Sequence, residues 1–195
     1  MLTENQVFDA AHTHVMKWEG GFFDHPADPG GVTKYGVSLM FLKSAGLLEG
    51  DIDGDGDIDR QDVLAITKEN AKKLFKRHFW DKPKACLLPP LIAVPFYDLA
   101  VNAGVGRSIK IMQEALGVSV DGVVGKNTRF AIDMCHPFAA AMCMLDCRTA
   151  WYRRLARLKP SSAVFLKGWL NRTSDCRLYL IKLSEQWEQH YDEHL

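Results

Sequence analysis

Residues 20–31 constrain the fold more than any other stretch, because they interrupt a chain that otherwise carries the apolar spacing of helices. The segment reads GGFFDHPADPGG. Neither a helical period nor a strand alternation survives across it, so the sequence predicts irregular backbone there. Ordering such a loop costs conformational entropy, and loops held by a rigid scaffold often carry functional groups. We therefore expect the chemistry of this protein to take place at this loop.

Acidic residues stand at the entrance to this loop and inside it. Glu19 follows Trp18 at the end of a predicted apolar helix, and Asp28 and Thr33 come later in the glycine-rich stretch. Glycosidic cleavage generally uses one protonated carboxylic acid and a second group that stabilises charge or positions water. Apolar surroundings favour a protonated carboxyl group, which suits Glu19 to the first role. Asp28 and Thr33 suit the second, and the alternative is that all three belong to a helix end and a solvated turn.

Residues 19–37, EGGFFDHPADPGGVTKYGV, resemble the opening signature of glycoside hydrolase family 108, which contains bacterial and phage N-acetylmuramidases. They are also similar to the phage-lysozyme spacing of a glutamate, an aspartate and a threonine, although the gap between Asp28 and Thr33 is one residue shorter here. The resemblance implies that Glu19 is the general acid and that Asp28 and Thr33 are its catalytic partners. It also makes Tyr35 a candidate for substrate binding.

A second resemblance lies in the helix predicted over residues 91–103 and ended by Gly104. Its segment FYDLAVNAG is similar to the D-x-A-V-N-x-G helix of the same family. In lysozyme-like folds the helix so placed lines the sugar groove, which implies that Tyr97 and Asn102 bind N-acetyl groups and that Asp98 is a distant second carboxylate. Alternatively, Asn102 ends the helix as its C-cap and Asp98 is a hydrogen-bonding residue of the core.

The C-terminal half carries two further motifs of this kind. Residues 118–128, VSVDGVVGKNT, resemble the D-G-x-x-G-x-x-T turn of peptidoglycan-binding domains. Its glycines allow a tight backbone, and Asp121 and Thr128 are expected to cap the turn and the helix that follows. Residues 165–172, FLKGWLNR, resemble the F-x-x-G-W-x-N-R element of the family. The turn over residues 118–128 is structural in such modules, so this resemblance implies a fold more than a contact with the cell wall.

The predicted fold class is mainly α, with a lysozyme-like helical body and a small β-hairpin region near the active site. Apolar residues recur at three- and four-residue steps over residues 3–18, the pattern of an amphipathic helix. A last amphipathic helix is expected to begin at Ser174, its predicted N-cap. Only residues 22–35 resemble a hairpin. We predict a muramidase part over residues 1–104 and a peptidoglycan-binding-like part, packed on it, over residues 105–195.

Six aspartates crowd into residues 51–62, DIDGDGDIDRQD. Oxygen donors at loop positions one, three and five, a glycine at six, an isoleucine at eight and an acid at twelve are the pattern of an EF-hand-type calcium loop. The final acid is an aspartate, as in dockerin-type loops, and Ile58 is expected to anchor the loop to the core. We predict a structural Ca²⁺ here and no cofactor for catalysis; a solvated acidic turn is the alternative. The predicted ligands are Asp51, Asp53, Asp55, Asp57, Asp59 and Asp62.

The cysteines indicate a reducing compartment. An odd and scattered set argues against a secreted disulfide framework, and we predict buried free thiols. Because Cys143 and Cys147 lie one helical turn apart, a zinc site is the alternative. The five cysteines are Cys86, Cys135, Cys143, Cys147 and Cys176.

Charge and hydropathy bound the partners and the location. The chain has 24 basic and 24 acidic residues, which predicts no steering toward nucleic acid or membrane. The basic stretch over residues 148–172 is expected to form solvated helix faces. Without a signal-peptide pattern or a stretch of membrane-spanning length, we expect a monomer without stable membrane insertion. We expect it to be cytoplasmic in the producing cell and to reach the cell wall or periplasm through a holin or exporter.

The resemblance therefore implies an N-acetylmuramidase that hydrolyses the β-1,4 bond between N-acetylmuramic acid and N-acetylglucosamine in bacterial peptidoglycan. Two alternatives stay open. A non-catalytic peptidoglycan-binding or secretion-accessory protein would use the C-terminal motifs and the basic stretch without needing Glu19. A lytic transglycosylase needs one glutamate and little else, and it would release an anhydro-muramic product.

Overall fold

The computed structural model describes residues 3–19, 22–23 and 32–192, which form a mainly α-helical protein with one small sheet. This confirms the predicted fold class. The chain divides into two compact units, one comprising Met1–His14 with Phe79–Leu195 and the other Val15–His78. We call them the large unit and the small unit. The boundary expected between residues 104 and 105 stays a prediction.

The described residues form ten α-helices, two short 3₁₀ helices and one π-helical turn. The π-helical turn covers Arg77–Asp81, and the 3₁₀ helices cover Ala85–Leu87 and Pro160–Phe165. The α-helices are α1 (Glu4–Val15), α2 (Leu39–Ala45), α3 (Leu47–Gly50), α4 (Arg60–Ala65), α5 (Lys68–Lys76), α6 (Pro90–Ala103), α7 (Val105–Ala115), α8 (Lys126–Met134), α9 (Pro137–Leu158) and α10 (Leu166–Asp192).

One antiparallel sheet lies in the small unit, in the order β1 (Phe22–Phe23), β2 (Thr33–Lys34) and β3 (Val37–Ser38). Phe22 pairs with Lys34, and Thr33 pairs with both Phe23 and Ser38. The hairpin expected over residues 22–35 is thus confirmed, and β3 adds a third strand after it. Ser38 ends β3 and is also the N-cap of α2, where it accepts a hydrogen bond from the Phe41 amide.

Aromatic packing organises the core of the large unit around α1. Phe8 is buried, with its ring centroid 5.4 Å from that of Trp80 and 5.7 Å from that of Tyr97 in edge-to-face arrangements. Such geometry is favourable for aromatic pairs. One helical turn later, His12 Nδ1 lies 2.9 Å from the Tyr97 hydroxyl. His12 is therefore a core residue with a satisfied ring nitrogen.

A buried ion cluster joins the three longest helices of the large unit. Asp98 on α6 accepts a hydrogen bond from Arg148 Nη1 on α9, and its other oxygen lies 2.9 Å from Arg172 Nε on α10. All three side chains are buried. Burial alone would raise the pKa of Asp98, but the two guanidinium groups outweigh it and hold that pKa below its ordinary value. The cluster thus keeps a charged carboxylate in the core.

The last helix begins earlier than the sequence indicates. α10 starts at Leu166, directly after a 3₁₀ helix, so the prediction of Ser174 as its N-cap was wrong. Hydroxyl side chains need no helix end when they can bond to the preceding turn. The neighbouring Thr173 does so, because its Oγ1 donates to the Trp169 carbonyl oxygen at 2.8 Å.

A break at Pro137 separates α8 from α9, as the sequence predicts for a proline in a helical pattern. His136 precedes it as the N-cap of α9 and accepts a hydrogen bond from the Ala139 amide. Among the helices in the described part of the chain, none is by itself long and apolar enough to cross a membrane. The bent pair of α8 and α9 does meet that criterion of length and composition.

The cysteines are free thiols, but most of them are not buried. Only Cys176 is fully buried, whereas Cys86 and Cys143 are exposed and Cys135 and Cys147 lie between these extremes. The prediction of buried thiols was therefore wrong for Cys86 and Cys143, because their helices turn these positions toward solvent. Partial burial raises the pKa of Cys147 to about 12. Within residues 3–19, 22–23 and 32–192, no group of potential metal ligands includes a cysteine.

Replacing Asp98 with asparagine should strongly destabilise the protein. The change leaves two buried guanidinium groups without their counter-charge, and breaking a buried ion pair on one side typically costs about 3–5 kcal/mol. Urea unfolding would measure the loss. Asp146→Asn is the matched control. Asp146 Oδ1 lies 2.5 Å from Arg177 Nη2, but the Asp146 side chain is 71% exposed and the Arg177 side chain 33%, and exposed ion pairs contribute little to stability. Equal losses in both variants would contradict the prediction.

Candidate active site

Glu19 lies where the chain leaves α1. Its amide donates to the Val15 carbonyl oxygen at 3.3 Å, and the Trp18 amide donates to the same oxygen at 2.9 Å. Val15 is fully buried, whereas Glu19 is half-buried and Trp18 is 36% exposed. The helix thus holds the Glu19 backbone against the core and leaves part of the side chain exposed to solvent.

A glycine of the β2–β3 turn packs directly against the stem of Glu19. A methyl group added at Gly36 would lie 3.0 Å from Glu19 Cβ, 3.2 Å from its Cγ and 3.0 Å from Phe75 Cζ. Such separations are shorter than ordinary van der Waals contact, so a larger residue would have to displace Glu19 or Phe75. Gly36 also has a φ of +77°, a conformation that suits glycine. The stem of Glu19 therefore packs against the turn, and the Phe75 ring also lies close to Gly36.

The turn itself is a tight two-residue hairpin connection. Tyr35 and Gly36 link β2 to β3, and both have positive φ, +51° and +77°, which two-residue hairpins of the favoured twist require. The ammonium groups of Lys34 and Lys68 lie 5.7 and 5.8 Å from the centroid of the Tyr35 ring. Cation–π attraction of this kind holds the ring in place. Tyr35 thus stands beside the glycine that contacts Glu19.

Thr33 lies on the same hairpin and is half-buried on β2. Its neighbour Lys34 donates a hydrogen bond from Nζ to the Leu64 carbonyl oxygen of α4. The hairpin that carries Thr33 and Tyr35 is thus hydrogen-bonded to the last turn of α4 through Lys34. The turn of the same hairpin contacts Glu19 through Gly36. Asp28, the other predicted catalytic partner, lies outside the described residues, as does Asp24.

The aspartate loop that precedes α4 is folded around its own backbone amides. Asp51 accepts from the amides of Gly54 and Gly56 at 2.7 and 3.0 Å. The side-chain oxygens form two groups, Asp51 with Asp53 and Asp55, and Asp57 with Asp59 and Asp62, each within 4.8 Å. Oxygen donors at this density are those that Ca²⁺ prefers.

Desolvation and mutual repulsion raise the pKa values of two carboxylates in this loop. Desolvation and the neighbouring charge of Asp55 raise the pKa of Asp53 above its ordinary value, although its backbone hydrogen bond opposes the shift. The charge of Asp55, followed by desolvation, raises the pKa of Asp57. Both burial and neighbouring negative charge disfavour the ionised carboxylate, and a nearby cation favours it. The donor set therefore suits a cation.

Asp62 differs from the other loop acids because it is buried. Its oxygens accept from the amides of Ile52 at 2.5 Å and Asp59 at 2.7 Å, and it forms a capping box with Asp59 at the start of α4. Burial opposes ionisation, but these amides outweigh it and lower the pKa of Asp62. Ile58 lies against Gly50, where an added methyl would be 2.8 Å from Ile58 Cδ1. The predicted anchoring of the loop by Ile58 agrees with this contact.

Tyr97 and Asp98 lie in the large unit and have no exposed surface. Tyr97 is enclosed by Phe8 and His12, and Asp98 by its guanidinium partners. The core alternative therefore applies to Asp98, and the predicted contact of both residues with sugar is corrected. A fully buried side chain cannot touch a sugar in this conformation.

Asn102 is half-buried on α6, and its Oδ1 accepts a hydrogen bond from the Tyr152 hydroxyl. Gly104 is the C-cap of α6, so the alternative of Asn102 as a C-cap was wrong. Tyr152 in turn stacks on Trp169, with ring centroids 4.9 Å apart and an angle of 18°. This pair connects the D-x-A-V-N-x-G motif to the F-x-x-G-W-x-N-R motif. The predicted role of Asn102 in substrate binding stays a prediction.

The D-G-x-x-G-x-x-T turn is held by Gln113, a residue that the sequence analysis missed. Gln113 is fully buried on α7, and its Nε2 lies 2.7 Å from Asp121 Oδ1 and 3.2 Å from Thr128 Oγ1. Its Oε1 accepts from the Gly122 amide at 2.8 Å. The Val123 amide, and then Gln113, lower the pKa of Asp121. A glutamine in a helix gives no sequence signal for such a contact.

Comparison with known proteins agrees with this assignment of motifs. The family described as Glycosyl hydrolase 108 matches residues 12–104, and the family described as Predicted Peptidoglycan domain matches residues 107–174. The solved structure of SagA from Brucella abortus is similar to this chain, with 31% sequence identity and a TM-score of 0.75 over 91% of this chain and 95% of that chain. Among curated protein sequences, none matches this chain. The chain therefore belongs to glycosyl hydrolase family 108, as a glycoside hydrolase that carries a peptidoglycan domain.

Proposed function

We propose that this protein is an N-acetylmuramidase that hydrolyses the β-1,4 bond between N-acetylmuramic acid and N-acetylglucosamine, with Glu19 as the general acid. The observation that carries the proposal is the contact between Gly36 and the stem of Glu19. A catalytic acid must be held in a narrow range of positions, and an ordinary helix-terminal glutamate has no need of such enclosure. Glu19 is also half-buried and not fully exposed to solvent.

In this proposal Glu19 donates its proton to the glycosidic oxygen as the bond to the anomeric carbon breaks. General acid catalysis of this kind typically contributes about 10²–10⁴-fold to the rate. Thr33, which lies on the hairpin whose turn touches Glu19, would position water together with Asp28, or stabilise the developing positive charge on the sugar. Tyr35 would contact the substrate beside them. The distance between the carboxyl groups of Glu19 and Asp28 decides between retention and inversion.

The second proposal concerns the aspartate loop, which we infer to bind a structural Ca²⁺. Asp51, Asp53 and Asp55 would supply side-chain oxygens, Asp57 its backbone carbonyl, and Asp59 a contact through water. Bound there, Ca²⁺ would neutralise Asp53, whose pKa is raised by desolvation and the charge of Asp55, and Asp57, whose pKa is raised by the charge of Asp55 and by desolvation. Asp62 already accepts from three backbone amides, and it would turn a remaining lone pair toward the ion.

The loop leads directly into α4, and through this connection a bound ion would restrain the hairpin. Leu64 on α4 accepts the hydrogen bond from Lys34, which lies next to Thr33 and Tyr35. An ordered loop would fix the start of α4, and through Lys34 it would restrain the hairpin. The ion is thus proposed to act on the position of the catalytic hairpin and to take no part in the reaction.

Changing Glu19 to glutamine should abolish hydrolysis of purified sacculi and leave the melting temperature nearly unchanged. The amide retains the shape of the side chain but has no acidic proton to donate. Mass spectrometry of the released products measures the reaction, and Glu69→Gln is the matched control because its side chain is 75% exposed beside Lys73.

Three outcomes separate the candidate functions. Reducing muropeptides from the wild type and none from Glu19→Gln support the muramidase. Anhydro-muramic products would establish a lytic transglycosylase instead, and glycan strands left intact by the wild type would favour a non-catalytic wall-binding protein.

Gly36→Ala should lower both stability and activity, because the added methyl collides with Glu19 and Phe75. Gly117→Ala is the matched control, since Gly117 has a φ of +68° and no atom within 4 Å of the added methyl. Both changes impose backbone strain, but only the first adds overpacking, which typically costs about 1–3 kcal/mol. Urea unfolding and clearing of sacculi measure the difference. Similar losses in the two variants would show that the contact with Glu19 has no particular importance.

Adding Ca²⁺ to metal-free protein should raise the melting temperature, because the ion binds the folded loop far better than the unfolded chain. At a concentration of a hundred times Kd the stabilisation is about 2.7 kcal/mol. Asp51→Asn should weaken this response, and Asp146→Asn, which leaves the loop intact, should retain it. A melting temperature that chelator and Ca²⁺ both leave unmoved would refute the site.

A further inference from the structure

A groove of about 440 Å³ lies in the large unit, and one side of it is the turn that Gln113 holds. Its floor is apolar and comes from three helices, through Phe96 on α6, Met112 on α7 and Ile132 on α8. This volume is that of an ordinary ligand site. No role in catalysis is proposed for any of these residues.

The rim of the groove is mostly cationic. Lys82, Lys84 and Arg129 line it together with a single acid, Asp133. All four side chains are exposed. Because the protein as a whole has no net charge, a local excess of positive charge at a concave site indicates an anionic ligand.

Apolar side chains on the rim also face solvent. Leu87 and Val123, both of which line the groove, are 66% and 64% exposed. Exposed apolar residues that surround a groove are typical of a binding surface. The ligand should therefore combine negative charges with small apolar groups.

Lys84 adopts an unusual backbone conformation at this rim. Its φ is +58° and it lies in the left-handed region, which is unfavourable for a residue with a Cβ. Glycine would occupy the position without strain. A lysine there is best explained by what its side chain does, since strained residues tend to cluster at functional sites.

One wall of the groove is held by hydrogen bonds. Gly122 and Val123 belong to the turn in which the Gly122 amide donates to Gln113 Oε1, and Gln113 Nε2 donates to the Val123 carbonyl oxygen. Preorganised walls reduce the entropy that a ligand must overcome on binding. The turn of the peptidoglycan domain thus serves as one side of a prepared site.

We propose that this groove binds the stem peptide of peptidoglycan, an inference that rests on the proposed function. The peptide carries several carboxylates for Lys82, Lys84 and Arg129, and alanine methyl groups for the apolar floor. Where its diamino acid has a free ammonium group, Asp133 supplies the counter-charge. A neutral glycan chain offers none of these features except through its lactyl-peptide branch. The groove would therefore recognise the peptide and leave the glycan to the small unit.

Isothermal titration calorimetry of the 195-residue protein with the soluble tetrapeptide L-Ala-γ-D-Glu-meso-diaminopimelate-D-Ala tests the proposal. Arg129→Ala should weaken binding about tenfold or more, as expected for loss of a hydrogen bond between charged groups. Arg153→Ala, an exposed residue of the neighbouring basic stretch, is the matched control and should bind like the wild type. Absence of binding to the wild type at millimolar peptide, or equal affinities in all three proteins, would overturn the inference.

Lys84→Gly separates a binding role from a structural one. Glycine relieves the strain at φ +58°, so the melting temperature should stay the same or rise while the affinity for the peptide falls. A lower melting temperature with unchanged affinity would assign Lys84 to structure and overturn its part in binding. The peptide has no glycosidic bond, so its binding is measured independently of hydrolysis. Failure of the muramidase proposal would therefore be distinguishable from failure of this one.

Discussion

The buried carboxylate of Asp98 determines how the long helices of the large unit meet. Its two guanidinium partners lie 50 and 74 residues away in sequence, on α9 and α10. Apolar faces alone allow helices to slide or rotate with small losses in packing energy. Hydrogen bonds from two planar guanidinium groups have fixed directions, and unpaired charge in the core is very unfavourable. We interpret the cluster as the device that selects one register of these helices over other compact arrangements.

In the small unit, a series of short contacts connects the aspartate loop to the proposed catalytic acid. Asp62 forms the capping box of α4 with the N-cap Asp59, and Leu64 on α4 accepts the hydrogen bond from Lys34. Gly36, two residues after Lys34, packs against Glu19. The first two contacts are hydrogen bonds and the third is close packing. In our proposal, an ion bound in the loop would therefore influence the position of the hairpin beside Glu19.

Local signals were sufficient for much of the fold and for some of the site. The helical class, the hairpin and the glycine-ended α6 follow from spacing and caps, which neighbouring residues determine. The fate of Asp98 could not be predicted, because core and groove roles differ only in whether Arg148 and Arg172 reach it. The contact of Gly36 with Glu19 and the hold of Gln113 on its turn likewise depend on tertiary approach. The glycine at position 36 indicated a turn, but the sequence did not indicate that Glu19 packs against it.

Backbone strain distinguishes two positions in the described part of the chain. Wherever the backbone there needs a positive φ, the residue is glycine, except at Tyr35 and Lys84. A left-handed conformation typically costs a residue with a Cβ about 1–2 kcal/mol, which glycine would avoid. The side chains at both positions must therefore offset that cost in some other way. The Tyr35 ring lies near the ammonium groups of Lys34 and Lys68, next to the glycine that contacts Glu19, and Lys84 lies at the rim of the groove. The two strained residues thus mark the two places where our proposals put ligand: the glycan at one and its peptide at the other.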